Sequence, residues 1–314
     1  DPAARLAAAL GVAELGNEPE RVEPSRLAGH GAEPAGELWA MTLDPKRTFD
    51  DLIARLSPDE RTREEVLRNR VYQGLSGAVA GSQEYTAMAK LYDLHRDGRF
   101  DAIVLDTPPS RNALDFLDAP DRLIRFLEGR ALRALLTPTG LAARIAARGA
   151  GAVLGTLRPL TGPGLLEDLA TFFRALGGLL DGFRARAAAV KALLESPSTA
   201  FVVVASPERE PVEEAIFLRR ELARAGLPFG GLVVNRVHDP VEDERAPAEL
   251  HDDPGLAARV ALAAAELGVL ARRDAAAVQR LRAQVDPGAV VVPELEGDVH
   301  DVDGLAAVCR HLLG

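Results

Sequence analysis

Asp106 is the first candidate for a residue with a chemical role, because of its residue type and its position in the sequence. It follows a short apolar run at residues 102–105 and precedes a Thr-Pro-Pro turn, after which Asn112 falls in the first turn of a predicted helix. A short apolar run bounded by a turn is typical of a buried parallel strand, so Asp106 is expected at the carboxyl end of that strand. Ligands bind at this edge of open α/β sheets, and an acid there often holds Mg²⁺ beside nucleotide phosphates. An aspartate that only caps the following turn fits the same pattern.

Asn235 is the second candidate, and it also follows an apolar run. Residues 201–205 and 229–234 predict strands that flank an amphipathic helix at residues 211–226. A strand, a helix and a strand at this spacing predict a parallel crossover unit, with Asn235 at the end of its second strand. The amide offers both a donor and an acceptor to a ligand, whereas an asparagine at a strand end more often serves as a turn residue.

Other elements must position these residues. Residues 37–44 predict a strand that ends at Asp44, with a helix from Pro45 through about Leu56. Ser57 followed by Pro58 predicts the N-cap and first turn of the next helix. A further helix ends before Gly98, and His95 in its last turn is expected to interact with the helix dipole. Residues 123–194 are rich in Leu, Ala and Gly, with breaks that predict several helices.

The sequence from Asp106 onward, DTPPSRNALDFLDAP, resembles the switch II segment of the ArsA-like anion-transporting ATPases. This family belongs to the P-loop NTPases, in the class of MinD and the nitrogenase iron protein. Many members have Asp-Thr-Ala-Pro-Thr-Gly-His-Thr at this point, where the chain has Arg111 for the glycine and Asn112 for the histidine. The chain therefore resembles a divergent branch.

The first residues, Asp1-Pro-Ala and a helix of small residues, resemble the switch I segment of the same family. The resemblance implies that Asp1 orients the attacking water. The alternative is an ordinary helix start, since proline is common in a first helical turn. Two segments that resemble the switches, in family order, favour the functional interpretation.

The family's phosphate-binding loop, Gly-Lys-Gly-Gly-Val-Gly-Lys-Thr-Thr, would lie upstream of switch I. The chain has lysine only at Lys46, Lys90 and Lys191, and glycine precedes none of them. A P-loop needs successive backbone N–H groups and a lysine around phosphate. The expectation from the sequence is therefore a truncated record or gene fragment, with an evolved pseudo-enzyme as the alternative.

The resemblance implies a fold and a set of roles. The expected fold is a doubly wound, mostly parallel α/β sheet of the P-loop NTPase type, as one domain over residues 1–314 with a helical subdomain at 123–196. ATP and Mg²⁺ are the implied cofactors: Asp106 holds magnesium through water, Asn235 hydrogen-bonds adenine, and Pro293 and Glu294 lie where the family's loop wraps the base. Hydrolysis would move this helical subdomain, the helical layer, which would bind a hydrophobic or membrane-protein client. Alternatively, the helical layer would cover one face of the sheet or form the interface of a homodimer or of a heterodimer with a related ATPase.

Composition narrows the function classes. The net charge of −10 and the lack of a basic block make nucleic acid an unexpected partner. Cys309 is the only cysteine, which excludes an internal disulfide, fits a reducing cytoplasm and counts against arsenite, a ligand that needs several thiolates. Arginines interrupt the most apolar region, and no signal peptide is evident, so no transmembrane span is expected.

Two competing functions remain open from the sequence. A metal-dependent hydrolase would use Asp106 with His238 and His251. The two histidines and the carboxylates of residues 238–253 could be drawn as a metal cluster, but their spacing matches no standard zinc or calcium pattern. A solvated acidic loop is the preferred interpretation. A nucleotide-independent interaction protein that uses the Leu/Ala/Gly-rich helices is the other alternative to an ATPase.

Overall fold

The computed structural model describes residues 2–12, 15–27, 36–75, 82–107, 179–241, 253–295, 297 and 299–313. The chain divides into two compact units. One unit combines residues 1–42 with residues 195–314, and the other contains residues 43–194. Asn235 belongs to the first unit and Asp106 to the second.

The described helices and strands follow one another along the chain. In order, they are α1 (Pro2–Ala9), β1 (Glu20–Arg21), α2 (Pro24–Leu27), β2 (Trp39–Ala40), α3 (Pro45–Leu56), α4 (Glu60–Leu67), α5 (Arg70–Leu75), α6 (Ser82–Asp97), α7 (Leu180–Leu194), β3 (Phe201–Ala205), α8 (Arg209–Arg224), β4 (Phe229–Val237), α9 (Pro254–Gln284), β5 (Val290–Pro293) and α10 (Val302–Leu313).

A parallel sheet with the strand order β3-β4-β5 forms the centre of the first unit. Helix α8 connects β3 to β4 and packs on both strands through an apolar face, as the crossover pattern predicts. That face is made by Val212, Ala215, Ile216 and Leu222, all buried. The predicted strands of this region and their parallel arrangement are confirmed. Only one face of β3 is buried, however, because Val202 and Val204 remain exposed while Val203 and Ala205 point inward.

A smaller apolar cluster lies in the same unit. Its buried members are Leu10, Val22 and Leu27, and Val12, Ala40, Val302 and Leu305 pack against them. Strands β1 and β2 pair antiparallel; β2 contributes Ala40 to this cluster, and Val22 follows β1 directly. The predicted strand at residues 37–44 is therefore much shorter than expected, and it is not parallel.

The second unit is helical in its described part. Asp44 accepts a hydrogen bond from the Arg47 backbone N–H at the start of α3, and Asp59 caps α4 through the Thr62 N–H. The prediction for α3 is confirmed, whereas the predicted N-cap role of Ser57 is wrong. Ser57 ends α3, where its hydroxyl donates to the Ile53 carbonyl. Aspartate at the next turn is the better acceptor for the α4 amides because its carboxylate is charged.

An aromatic stack joins α3, α5 and α7. Phe49 lies 6.0 Å from both Tyr72 and Phe183, measured between ring centroids. The Tyr72 hydroxyl donates to Asp50, and burial together with this hydrogen bond raises the pKa of Tyr72 well above its usual range. Tyr72 therefore stays protonated and fixes α5 on α3.

Residues 102–105 differ from their prediction. They form no strand, and Val104 is 94% exposed. An apolar run becomes a strand only when a neighbouring backbone pairs with it, and none of the described segments pairs with these four residues. The predicted buried strand before Asp106 is therefore wrong for this structure.

Helix α9 is long and apolar enough to cross a membrane by length and composition alone, although only 11% of its most apolar window is buried. The helix contacts α8 and β4. Its buried residues, Gly268, Ala271, Asp274, Val278 and Leu281, extend from its middle toward its carboxyl end. The expectation of no transmembrane span therefore stays a prediction.

Gly230 at the start of β4 is expected to reject a side chain. A Cβ at this position would lie 2.9 Å from the Cβ of Ala200, which cannot move without its backbone. We expect Gly230→Ala to lower the free energy of unfolding by roughly 1–3 kcal/mol, as other overpacked sites do. Urea denaturation checks this value. Gly16→Ala is the matched control, because a Cβ at Gly16 meets nothing within 4 Å. Equal losses in the two variants would contradict the prediction.

Candidate functional site

The carboxyl end of β4 contains a β-bulge at Asn235 and Arg236. Val234 pairs with Val291 and Val237 pairs with Pro293, so β4 uses one more residue than β5 between these two pairs. Arg236 has φ of 62°, in the left-handed region that non-glycine residues seldom adopt. Bulges of this kind are common beside functional sites, because they redirect a side chain at a strand end.

The bulge orients the Asn235 side chain. Its Oδ1 accepts a hydrogen bond of 3.0 Å from the Arg236 backbone N–H. This contact distinguishes the amide oxygen from the amide nitrogen, because only the oxygen can accept from an N–H group. Asn235 is half-buried. Its amide therefore offers a defined order of acceptor and donor at the edge of the sheet.

Arg236 and Glu294 join the ends of β4 and β5. The Arg236 guanidinium donates to both carboxylate oxygens of Glu294, at 2.8 Å from Nε and 3.1 Å from Nη2. The hydrogen bond and the charge of Arg236 lower the pKa of Glu294. The Glu294 backbone N–H also donates to the Val237 carbonyl, at 2.9 Å. Side-chain and backbone hydrogen bonds therefore join the ends of β4 and β5 beyond the bulge.

His238 and Asp274 form a second connection on the same strand end. Asp274 Oδ2 accepts from the His238 backbone N–H at 3.1 Å and lies 2.7 Å from His238 Nδ1. The other oxygen of Asp274 accepts two hydrogen bonds from the Arg273 guanidinium, at 2.8 and 2.9 Å. Burial alone would raise the pKa of Asp274, but the hydrogen bonds from His238 and Arg273 hold it below its usual range. Asp274 is therefore a buried, ionised anchor.

Sequence reasoning missed this anchor and assigned His238 to a solvated loop. A signal for it exists in α9, where Asp274 interrupts an otherwise apolar stripe of buried residues. Ala271, Asp274, Val278 and Leu281 follow one another at the three- and four-residue spacing of one helix face. A charged residue on such a face needs a partner, because an isolated buried carboxylate is too costly.

The other predicted site residues have different outcomes. Pro293 ends β5, the strand that pairs with β4, and Glu294 follows it, so the structure brings these two residues and Asn235 to the same end of the sheet. Asp106 lies in the second unit, exposed and outside any strand, and Asp1 lies outside the described residues. No group of three or more His, Cys, Asp or Glu side chains that could hold a metal ion occurs within the described ranges. His251, from the alternative metal cluster, is not among those residues.

Comparison with known proteins identifies the family. The profile of the anion-transporting ATPases, ArsA_ATPase, matches residues 1–251. ATPase GET3 of Rhodotorula glutinis is 26% identical over 209 residues, which cover 66% of this chain and 54% of that protein. Uncharacterized protein SCO2128 of Streptomyces coelicolor is 30% identical over 238 residues, which cover 74% of this chain and 52% of that protein. The chain thus spans about half the length of the curated relatives it matches. Because the family profile covers most of the sequence, the chain belongs to the ArsA-like anion-transporting ATPase family and has the α/β fold of P-loop NTPases.

Proposed function

We propose that the full-length protein binds and hydrolyses Mg-ATP and couples hydrolysis to movement of a helical layer at residues 123–196. Family membership supports the reaction, and the similar protein from Rhodotorula glutinis is named an ATPase. The observation that carries the proposal is the bulged end of β4, where Asn235 presents an oriented amide at the ligand-binding edge of a parallel sheet. Such a group can recognise adenine because it offers an acceptor and a donor side by side.

The Asn235 amide fits the chemistry of adenine. Its Oδ1 would accept from the 6-amino group of the base, and its Nδ2 would donate to a ring nitrogen. Pro293 and Glu294 would border the base from β5. In this arrangement Glu294 also braces the strand end, because Arg236 holds its carboxylate. These roles depend on the placement of the three residues on adjacent strand ends.

The proposed chemistry at the phosphates depends on two aspartates. Asp106 has the carboxylate donor that Mg²⁺ prefers, and it is exposed to solvent, which suits a contact through water. The magnesium ion, when bound, would neutralise charge on the phosphates. Asp1 would orient the attacking water by accepting a hydrogen bond from it. The reaction would thus depend on positioning and charge neutralisation by the chain.

We further propose a cytoplasmic protein that acts as a homodimer or as a heterodimer with a related ATPase. A hydrophobic or membrane-protein client would bind the helical layer, which is rich in Leu, Ala and Gly. The acidic net charge supports a protein without a nucleic-acid partner, and the single, exposed Cys309 supports a ligand other than arsenite. We propose no transmembrane span, since α9 contacts the sheet and carries the buried Asp274 anchor.

Titration of Mg-ATP tests the binding function. Mg-ATP is titrated into the full-length gene product and into the 314-residue chain, and the binding heat is measured. We expect the full-length protein to bind, and Asn235→Ala to weaken its binding by about tenfold or more, the effect of losing one paired contact to a base.

Arg280→Ala is the control for this titration, because Arg280 forms an exposed ion pair with Glu213 of α8 and contacts none of the proposed site residues in the described structure. Its affinity for Mg-ATP should equal that of the unmodified protein. Absence of nucleotide binding in the full-length protein would refute the proposed ATPase and favour a nucleotide-independent interaction protein.

A further inference from the structure

The connection between His238 and Asp274 lies three residues beyond Asn235. One carboxylate oxygen of Asp274 contacts both the backbone and the ring of His238. A residue bound at both groups has a fixed backbone position as well as a fixed rotamer. The residue that follows β4 is therefore attached to α9, two residues beyond Arg236.

Stability alone does not account for a carboxylate at position 274. Asp274 is completely buried, and its neighbours on the same face of α9 are Ala271 and Val278. Replacement of buried ion pairs by apolar residues of similar size is often neutral or stabilising, because desolvation offsets the attraction between the charges. What a hydrogen-bonded carboxylate adds is a defined position for the group that it binds.

The bulge needs such a defined position. Arg236 adopts a left-handed conformation that persists only when surrounding contacts enforce it. Pairing of Val234 with Val291 holds the residues before the bulge, and Val237 pairs with Pro293 after it. The contact of His238 with Asp274 is the next restraint along the chain. If it is lost, residues 235 and 236 can relax toward a regular strand, and rotation of the peptide between them then moves the Arg236 N–H away from Asn235 Oδ1.

The orientation of the Asn235 amide decides which base fits it. Adenine presents a 6-amino donor beside a ring-nitrogen acceptor, whereas hypoxanthine presents a 6-oxo acceptor beside an N–H donor. An amide held with Oδ1 toward Arg236 cannot exchange its oxygen and nitrogen without losing that hydrogen bond. A freely rotating amide could serve either base.

We propose that His238 and Asp274 are positioning residues that hold the bulged end of β4 and thereby make the Asn235 amide selective for 6-aminopurine nucleotides. This inference rests on the proposed function, in which Asn235 contacts the base. Neither residue contacts the nucleotide. They act through the backbone of residues 236–238, so their loss changes the choice of base more than the binding of phosphate.

The ratio of affinities for ATP and inosine triphosphate tests the inference in the full-length protein. Both nucleotides have the same triphosphate, so general loosening of the protein lowers both affinities and leaves their ratio unchanged. We expect His238→Leu to reduce the preference for ATP by about tenfold, within the range of one bidentate contact to a base. Asp274→Asn, which keeps the volume of the side chain, should reduce the same ratio.

His238→Asn is the conservative variant. The amide nitrogen of asparagine is two bonds from Cβ, like Nδ1 of histidine, so it can donate to Asp274. We expect this variant to keep the preference for ATP. Arg280 lies on α9 with Asp274. Arg280→Ala is the control for changes of α9 that do not reach β4, and it should also keep the ratio of affinities for ATP and inosine triphosphate.

The outcomes separate the inference from the proposed function. If the unmodified full-length protein does not bind ATP, both proposals are refuted. If Asn235→Ala keeps the preference for ATP, the adenine contact of Asn235 and the positioning role that depends on it are refuted, and the proposed ATPase activity is not. If Asn235→Ala removes the preference but folded His238→Leu and Asp274→Asn retain it, only the positioning role is refuted. If His238→Leu does not fold, the positioning role is decided by comparing the ratio of affinities for ATP and inosine triphosphate between Asp274→Asn and His238→Asn.

Discussion

Asp106→Asn in the full-length protein is expected to lower the rate of ATP hydrolysis on the order of a hundredfold, an effect typical of removing one group that stabilises transition-state charge. The asparagine keeps the size of the side chain but loses the negative charge that would attract Mg²⁺. Binding of ATP should change much less than turnover, since the base contacts remain. Steady-state phosphate release at saturating Mg-ATP measures the loss.

Asp101→Asn is the matched control for this substitution. Asp101 is an exposed aspartate five residues earlier in the same segment, and it follows no apolar run. We expect its turnover to match that of the unmodified protein. Equal rates for Asp106→Asn and the unmodified enzyme would remove Asp106 from the proposed magnesium site, even if the protein proves to be an ATPase.

Asp274→Ala is expected to lower the free energy of unfolding by about 3 kcal/mol at neutral pH, the lower end of the range for breaking a buried ion pair from one side. The substitution removes the acceptor for both His238 and Arg273 and leaves a gap on the buried face of α9. Urea denaturation followed by circular dichroism measures the change. Glu213→Ala removes an exposed ion-pair partner of α9 and should have little effect.

The stability of the unmodified protein and that of Asp274→Ala should also respond differently to acid. The folded-state pKa of Asp274 lies below its ordinary value because His238 and Arg273 stabilise the carboxylate. The stabilisation is therefore fully present above about pH 4, where an unfolded aspartate is ionised, and it is lost as the pH falls through the folded-state pKa. The stability difference between the unmodified protein and Asp274→Ala should shrink below about pH 4. A difference that stays constant in acid would show that the carboxylate charge contributes nothing.

Local patterns predicted much of the fold. Helix α3 begins at Pro45 and ends at Leu56 as its sequence indicates, and β3, α8 and β4 follow the predicted crossover. These elements depend on periodicity and on residues within one or two turns, which a single segment contains. The failures at residues 37–44 and 102–105 have a common cause. Strand formation there requires a partner backbone that is distant in sequence.

The sequence by itself determined the family and the α/β class, because the resemblance to the switch segments and the alternation of strands and helices are properties of consecutive residues. It also placed Asn235 at a strand end, and the family resemblance placed Pro293 and Glu294 beside the base. The tertiary structure alone decided what holds them. The register of β4 against β5 creates the bulge, and Asp274 reaches His238 across 36 residues of chain. No short segment contains that contact, because a hydrogen bond between distant residues exists only after the helix has packed on the sheet.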